Sequence, residues 1–540
     1  MSPRGSAADH RRARNLVMAA TILLATVGAA WSVVLPVGEG PDEPAHLGLV
    51  LHLADGGSYP RYDSLHRTEA LDRLCETFVA SVRVCPLPGE EVTATAVRVR
   101  HARDAPHGGG RPSFLDDGGR EAVAELNQMA QHPPLYYGAM AVVLRGARTV
   151  VGGPMSLDRE LALLRLVNVL LVVPVPALAW LTARRLELDL RVAASAAVAT
   201  AAVPMLAASS GVLNNDNLLI LLAAASAPAM ASLAVGDRSR RAAVVAGATI
   251  GFALLVKAFA VVLIPALALA CWIGSREPGD QTAVGARVRR TAAPLGVASA
   301  FIALIAGWWY VQMWSYAGSP TPSVDADRYS EALRPPGFSP DLVHFVDQFA
   351  GRFTERFWGS FGWYSARFPG PLTVVLTLAA VVLVGVGLVA ARRRAPLVVL
   401  LTPALLLLAL TFGRAWSLHA RSGQYPFIQG RYLLAGLVGL AVVAAFGWRR
   451  LVPDRLSVPA MATLAAALQL GSLLRGITTY WAGGPVERIE ALDAWSGLPD
   501  LLPTALVVAA VVGSVAVLVV AWRPAVDRSS GGAPVPSASR

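Results

Sequence analysis

The chain has 540 residues, of which 54% are hydrophobic and only 15% are charged. Soluble globular domains carry about 25% charged residues, so this composition excludes an ordinary soluble protein and indicates a membrane protein. The net charge of +11 does not indicate nucleic-acid binding, because basic residues in a membrane protein first report which side of the membrane a segment faces.

Long apolar segments of bilayer-spanning length recur along the chain. We predict an all-α polytopic protein with about twelve membrane-spanning helices, at residues 16–35, 160–182, 192–212, 217–235, 242–256, 258–273, 292–314, 371–391, 395–412, 430–447, 457–475 and 501–522. The first segment is too long for the core of a signal peptide, so we interpret it as a retained anchor. With the N-terminus inside, arginine is about three times denser in the inner connections than in the outer ones, as the positive-inside rule requires.

We predict a plasma-membrane protein, and the topology divides its chain into three parts. A basic cytoplasmic tail (1–15) precedes one membrane domain (16–522), and a disordered cytoplasmic tail (523–540) follows it. The two long connections on the predicted outer side are loops 36–159 and 315–370. Loops of this length are usually functional, so we expect the site on the outer face.

The outer loop 36–159 opens with an acidic turn, Pro41-Asp42-Glu43-Pro44-Ala45-His46. Pro44 suits the first turn of a helix, which we predict to run from Ala45 to about Ala54. The N-terminal dipole of that helix favours the two carboxylates. The turn therefore offers two acids and an imidazole at the membrane surface.

The rest of this loop carries two further predictions. Pro134–Val151 is predicted to be a helix lying on the outer surface, with Arg145 and Arg148 reaching toward lipid headgroups. Cys75 and Cys85 lie where a disulfide can persist, and whether they pair is left open.

Other polar residues cluster at the predicted outer ends of spans. Asn214-Asn215-Asp216-Asn217 forms a second polar turn, and Lys257, the only lysine of the chain, separates two apolar segments. The remaining candidates are His132, Tyr136, Glu355, Arg356, Arg431 and Tyr432. Cations at headgroup depth, here Lys257 and Arg431 with Arg165 and Arg475, suit the phosphate of a lipid.

These residue types fit an enzyme that uses a lipid-linked phosphosugar. An acceptor hydroxyl must lose its proton to a carboxylate, for which we choose Asp42, while Glu43 orients the acceptor or holds a metal. Lys257, Arg431 and Tyr432 are predicted to bind the donor phosphate, where cations stabilise the leaving charge. His46, His132, Tyr136, Asn215, Glu355 and Arg356 are predicted to line the substrate cleft.

The same residues resemble a known family. Pro41-Asp42-Glu43-Pro44-Ala45-His46, His132-Pro133-Pro134-Leu135-Tyr136-Tyr137, Asn214-Asn215-Asp216, Lys257 and Gly430-Arg431-Tyr432 look like signature points of the membrane family DUF2142, which in turn resembles the GT-C glycosyltransferases, including protein mannosyltransferases and aminoarabinose transferases. The resemblance implies a GT-C-like helix bundle, a polyprenyl-phosphate sugar donor and a catalytic role for Asp42. It also implies metal or acceptor contact at Asp216, although a single carboxylate there leaves the use of Mg or Mn open.

Several alternatives stand beside this interpretation. Asp42, Glu43 and Asp216 are also suited to capping helices. Lys257 and the span-end arginines are also suited to snorkelling, and the aromatic residues of loop 315–370 to an interfacial belt. A transporter or flippase, or a scaffold for lipid-linked saccharides, remains open as a function, and the envelope acceptor is unknown.

Overall fold

The computed structural model describes residues 6–72, 74, 99–106, 110–276, 284–324, 326, 329 and 331–523. The cysteine pair 75 and 85 and the tail beyond residue 523 lie outside this range, as do residues 1–5. Within the described part, two small antiparallel sheets accompany the helices. One pairs β1 (His66–Thr68) with β2 (Ala122–Leu126), and the other pairs β3 (Ser360–Phe361) with β4 (Ala366–Arg367).

The α-helices are α1 (Ala7–Val34), α2 (Glu43–Ala54), α3 (Leu135–Val151), α4 (Leu157–Val172), α5 (Val175–Arg185), α6 (Leu190–Ala201), α7 (Pro204–Ser210), α8 (Asp216–Ala234), α9 (Arg240–Leu254), α10 (Leu263–Gly274), α11 (Val284–Ile302), α12 (Trp308–Ala317), α13 (Leu342–Trp358), α14 (Gly370–Ala390), α15 (Ala395–Ser422), α16 (Leu437–Leu451), α17 (Asp454–Tyr480), α18 (Pro485–Trp495) and α19 (Leu502–Trp522). A π-helical segment, Ala303–Gly307, joins α11 to α12. The 3-10 segments are Ala102–Asp104, Gln128–Gln131, Ala258–Val262, Glu331–Leu333 and Gly430–Gly436.

Every predicted span coincides with helix, but the predicted count of twelve is not confirmed. In the described part of the chain, 9 helices are long and apolar enough to cross a membrane, with α4 and α5 forming one of them. A tenth results if α6 and α7, which are bent by 57° where Pro204 starts α7, count as one span. The other two predicted spans are the 15-residue helix α9 and the apolar segment Ala258–Gly274, both shorter than the roughly 20 residues that a perpendicular crossing needs.

The first helix begins earlier than the sequence suggested. Ser6 and Asp9 form a capping box, in which each side chain accepts a hydrogen bond from the other's backbone N–H, so α1 starts at Ala7. Most of the predicted tail 1–15 is therefore the first turns of α1. This helix packs against α19, α6 and α7, and its Trp31 is fully buried in the larger of two extensive apolar clusters.

The helix predicted at residues 134–151 is present as α3, but its arginines have protein partners rather than lipid headgroups. Arg145 donates to the carbonyl oxygens of Leu53 and Ala54 at the end of α2, where carbonyl groups lack partners within the helix. Arg148 pairs with Asp55 at 2.6 Å and with Glu160 at 2.6 and 2.8 Å. These contacts fix α2 and α3 to each other and to α4.

The candidate site lies where several helix ends meet. The segment Gly430–Gly436 contacts α8, α13 and α15, and the segment Ala258–Val262 also contacts α15. The acidic turn after α1 lies beside the start of α8, since Val212 and Leu213 contact Gly40 and Glu43. Residues from four separate stretches of sequence are thereby brought together at one end of the bundle.

Candidate active site

Asp42 occupies a strained backbone position at the start of α2. Its φ angle is 62°, in the left-handed region, which costs a residue with a side chain about 1 to 2 kcal/mol. Its side chain makes no capping hydrogen bond. Instead Oδ2 accepts a hydrogen bond from Arg431 Nη2 at 3.2 Å, and 33% of the side chain stays exposed. The helix-cap alternative for Asp42 therefore does not hold.

Glu43, the adjacent carboxylate, is fully buried. It forms a two-point ion pair with Arg165 of α4, with Nε–Oε1 and Nη2–Oε2 distances of 2.8 and 2.5 Å. Glu43 Oε1 also accepts from the backbone N–H of Leu213 at 3.0 Å. Arg165 in turn donates to the carbonyl oxygens of Ser32, Leu35 and Pro36. Because no part of Glu43 reaches solvent, we revise its predicted catalytic role to that of fixing the turn in place.

Asp216, at the first turn of α8, binds two cations. Its Oδ1 accepts a hydrogen bond from Lys257 Nζ at 2.6 Å, and its Oδ2 lies 3.7 Å from Arg431 Nε. Capping is done by a neighbour, because Asn214 Oδ1 accepts from the backbone N–H of Asn217 at 3.2 Å. Asp216 is thus free of capping and is part of a charge cluster.

Lys257 lies at the break between α9 and the segment Ala258–Val262, as the sequence predicted. Its backbone is extended, with φ −158° and ψ 137°, which ends the helix and turns the side chain inward. The ammonium lies 4.6 Å from the ring centre of Tyr432 and 5.3 Å from that of Phe259. Two aromatic faces and one carboxylate therefore hold this cation in place.

These charged residues border one cleft with a cavity volume of about 100 Å³. Of the residues predicted from the sequence, those that line it are Asp42, His46, His132, Asn215, Asp216, Lys257, Arg431 and Tyr432. The cavity is bounded on other sides by Trp309 and Tyr310 of α12 and by the segment 320–323. The structure thus brings most of the predicted site together in one place.

Of the two histidines of the cleft, His46 is buried and His132 is half-buried, and both are uncharged at neutral pH. Burial, helped by the positive charge of Lys257, lowers the pKa of His132 from 6.5 to about 3. Burial likewise lowers the pKa of His46 well below its ordinary value, with smaller contributions from His132 and Lys257. His46 Nδ1 and the Tyr137 hydroxyl form a hydrogen bond of 2.9 Å, which orients the imidazole.

Three predicted cleft residues lie elsewhere. Tyr136 is fully buried behind the cleft, and its hydroxyl donates to Asn168 Oδ1 at 2.9 Å. Arg356 borders a separate cavity of about 20 Å³, and its guanidinium stacks over the Tyr364 ring at 3.9 Å. Glu355, on α13, is half-buried and lines neither cavity.

The two other span-end cations also lie outside the cleft. Arg165 is committed to Glu43, as described above, and Arg475 is exposed with its Nε donating to the carbonyl oxygen of Arg367 at 2.9 Å. The predicted ring of four cations is therefore reduced to Lys257 and Arg431.

Sequence reasoning missed Arg414 and Gln131, which both line the cleft. The predicted span ends at residue 412, which places Arg414 in a loop, whereas α15 continues to Ser422. The available signal was a charged residue two residues beyond the predicted end of an apolar segment, as Arg431 is a charged residue at the outer end of the next one. Gln131 gave no signal beyond its place next to His132.

The side chains of the cleft do not fit a divalent cation. In the described ranges, no group of three or more His, Cys, Asp or Glu side chains is close enough to hold one. Both oxygens of Asp216 already face Lys257 and Arg431, and Mg or Mn needs several oxygen ligands in near-octahedral array. The predicted metal role of Asp216 is therefore not supported, and no step of the chemistry is assigned to a metal.

Comparisons with known proteins bear on family and fold. A search of curated protein sequences found no match. Among solved structures, ArnT from Cupriavidus metallidurans bound to undecaprenyl phosphate is 14% identical, with a TM-score of 0.44 over 92% of this chain and 76% of that one. The archaeal oligosaccharyltransferase AglB from Archaeoglobus fulgidus, in complex with an inhibitory peptide and a dolichol-phosphate, is 12% identical with a TM-score of 0.41. That match covers 87% of this chain and 56% of AglB, so the chain spans little more than half of its length.

The family model described as "Predicted membrane protein (DUF2142)" matches residues 24–440, well over half of the chain. The matched range contains the acidic turn, the Asp216 turn, Lys257 and Arg431. It confirms the family that the sequence motifs indicated: this protein belongs to the DUF2142 family of predicted membrane proteins.

Proposed function

We propose that this protein is an inverting GT-C-type glycosyltransferase of the plasma membrane, which moves a sugar from a polyprenyl-phosphate donor to an envelope acceptor on the outer face. The observation that carries the proposal is the convergence of Asp42, Asp216, Lys257 and Arg431 in one cleft, although they come from four separate parts of the chain. The donor class rests on the sequence resemblance described above.

Asp42 is the carboxylate of this cluster that is best placed to act as a base. Its side chain is one third exposed, whereas Asp216 is 9% exposed and bound to Lys257 at 2.6 Å. In the proposed reaction, the acceptor oxygen bonds to the anomeric carbon while its proton passes to Asp42. The bond from that carbon to the phosphate oxygen breaks, and its electron pair leaves with the lipid phosphate. Attack opposite the leaving group inverts the configuration of the sugar.

The cations supply the other requirement of this reaction. Negative charge grows on the phosphate as it leaves, and fixed cations in a partly buried cleft stabilise such charge strongly. Lys257 and Arg431 are held in place by Asp216, Asp42 and the ring of Tyr432, so they need little rearrangement during the reaction. Such preorganisation is what separates a catalytic cleft from a set of snorkelling cations.

The test is the Asp42→Asn variant of the full-length protein in lipid nanodiscs. With any polyprenyl-phosphate sugar that the wild type uses, we expect the transfer rate to fall by about 100-fold or more, because the general base is lost. Thermal unfolding should be unchanged. Asp63→Asn, which removes an exposed carboxylate of the same loop, serves as the matched control and should be fully active. Transfer at the wild-type rate by Asp42→Asn would overturn the proposal.

A further inference from the structure

One of the described cations that line the cleft forms no ion pair with a described carboxylate. Lys257 faces Asp216, and Arg431 lies between Asp216 and Asp42. Among the residues that the structure describes, no carboxylate forms an ion pair with Arg414, which lines the same cleft. Among the described residues that line the cleft, three cations against two carboxylates leave one net positive charge, because both histidines are uncharged at neutral pH.

Arg414 is nevertheless held in a defined position. Its Nη2 donates to the Ser323 hydroxyl at 2.6 Å, and its guanidinium lies 4.5 Å from the ring centre of Phe427. Phe427 has φ 60°, a strained value for an aromatic residue, and lines the cleft beside Arg414. Strain of this kind persists only where surrounding contacts impose it, and it is common at ligand sites.

The hydrogen bonding of Arg414 is incomplete. Its Nε is buried without a hydrogen-bond partner, and Arg431 Nε is in the same condition. A buried donor that lacks an acceptor is costly, and a half-buried guanidinium without a counter-ion adds to that cost. A guanidinium presents a planar fork that suits phosphate oxygens. The missing acceptor and the missing negative charge are both supplied if an anion enters the cleft.

We propose that Arg414 binds the phosphate of the lipid-linked donor, because among the described cations of the cleft it is the one that no described carboxylate neutralises. This inference rests on the proposed function and changes the assignment drawn from the sequence. Arg414 binds the phosphate group itself, and Ser323 fixes the guanidinium before the donor arrives. Lys257 and Arg431 act chiefly on the charge that develops as the phosphate leaves.

The test measures binding of farnesyl phosphate, a short prenyl phosphate, to the full-length protein in detergent, with farnesol as the uncharged probe. The wild type should bind farnesyl phosphate far more tightly than farnesol, and the phosphate should raise its thermal midpoint. Arg414→Gln should weaken phosphate binding about 10- to 100-fold, because a charged hydrogen bond is lost. Arg414→Lys should recover part of the affinity. Arg421→Gln, on the exposed end of the same helix, should bind as the wild type does.

The outcomes separate this inference from the proposed function. Equal affinity of the wild type and Arg414→Gln for farnesyl phosphate would overturn the role of Arg414 and leave the transferase proposal standing. A wild type that does not prefer farnesyl phosphate over farnesol would overturn both. If Arg414→Gln is poorly folded, Arg414→Lys and Ser323→Ala decide, since each should raise the KM for the donor with little change in kcat.

Discussion

The buried pair of Glu43 and Arg165 yields the sharpest test of how the acidic turn works. Glu43→Gln keeps the size of the side chain and removes its charge. The two side chains are 0% and 3% exposed, so the guanidinium of Arg165 would lose its counter-ion in a buried site. Removing one partner of a buried ion pair costs about 3 to 5 kcal/mol, much more than the loss of a surface pair.

The magnitude depends on what else holds Arg165. Its nitrogens also donate to the carbonyl oxygens of Ser32, Leu35 and Pro36, which partly stabilise the remaining charge. We therefore expect the lower part of that range for Glu43→Gln. Changing both partners, in Glu43→Gln with Arg165→Gln, removes the unpaired charge, so the second substitution should cost much less than it does alone.

The assay is thermal unfolding of the purified variants in one detergent, together with transfer activity below the unfolding temperature. Glu43→Gln should lower the thermal midpoint clearly while keeping much of its activity at low temperature, the reverse of the result expected for Asp42→Asn. A Glu43→Gln variant that is as stable as the wild type but inactive would refute the reasoning, since it would assign a chemical role to Glu43.

Four other changes should have defined results. Lys257→Met should reduce the transfer rate about 100-fold or more, measured as kcat, because the leaving phosphate loses a fixed cation. Transfer should survive EDTA, because both oxygens of Asp216 are engaged by cations; loss of activity that Mg restores would contradict this. Lowering the pH from about 7.5 to about 5.5 should reduce the free energy of unfolding by about 1.4 kcal/mol through His132. The pKa of this imidazole is about 3 in the folded protein and 6.5 in the unfolded chain, so only the unfolded chain takes up a proton over this pH range. His132→Gln should show a smaller loss in the same denaturation series. Gly430→Ala should unfold at lower temperature, because a Cβ at this position would lie 2.2 Å from a backbone oxygen of α13. The control Gly413→Ala should be neutral or stabilising, because a Cβ there would have no atom within 4 Å.

The sequence predicted which residues are helical better than where the helices bend or break. Hydropathy records which segments avoid water, and each predicted span is indeed helical. It does not record bends, so the 57° break at Pro204 and the short pair on either side of Lys257 were counted as full spans. The early start of α1 depends on the local capping box of Ser6, which a hydropathy pattern does not contain.

For the candidate site, the sequence likewise predicted which residue types lie there better than which residues pair with one another. A carboxylate or a lone lysine at the end of an apolar segment is conspicuous, which is why Asp42, Asp216 and Lys257 were found. The sequence could not separate Asp42 from Glu43, because their directions depend on the left-handed backbone of Asp42. It also could not pair Glu43 with Arg165, which lies 122 residues further along the chain.

The left-handed backbone of Asp42 connects these observations. That conformation is unfavourable by about 1 to 2 kcal/mol and persists only where neighbouring contacts impose it. Glu43 provides such contacts through its bonds to Arg165 and to the backbone of Leu213, immediately beside the strained residue. An ordinary helical start at Asp42 would change the direction of its side chain relative to Arg431. The buried acid thus stabilises the turn that directs the exposed one toward its cation, and the two adjacent carboxylates accordingly have opposite environments.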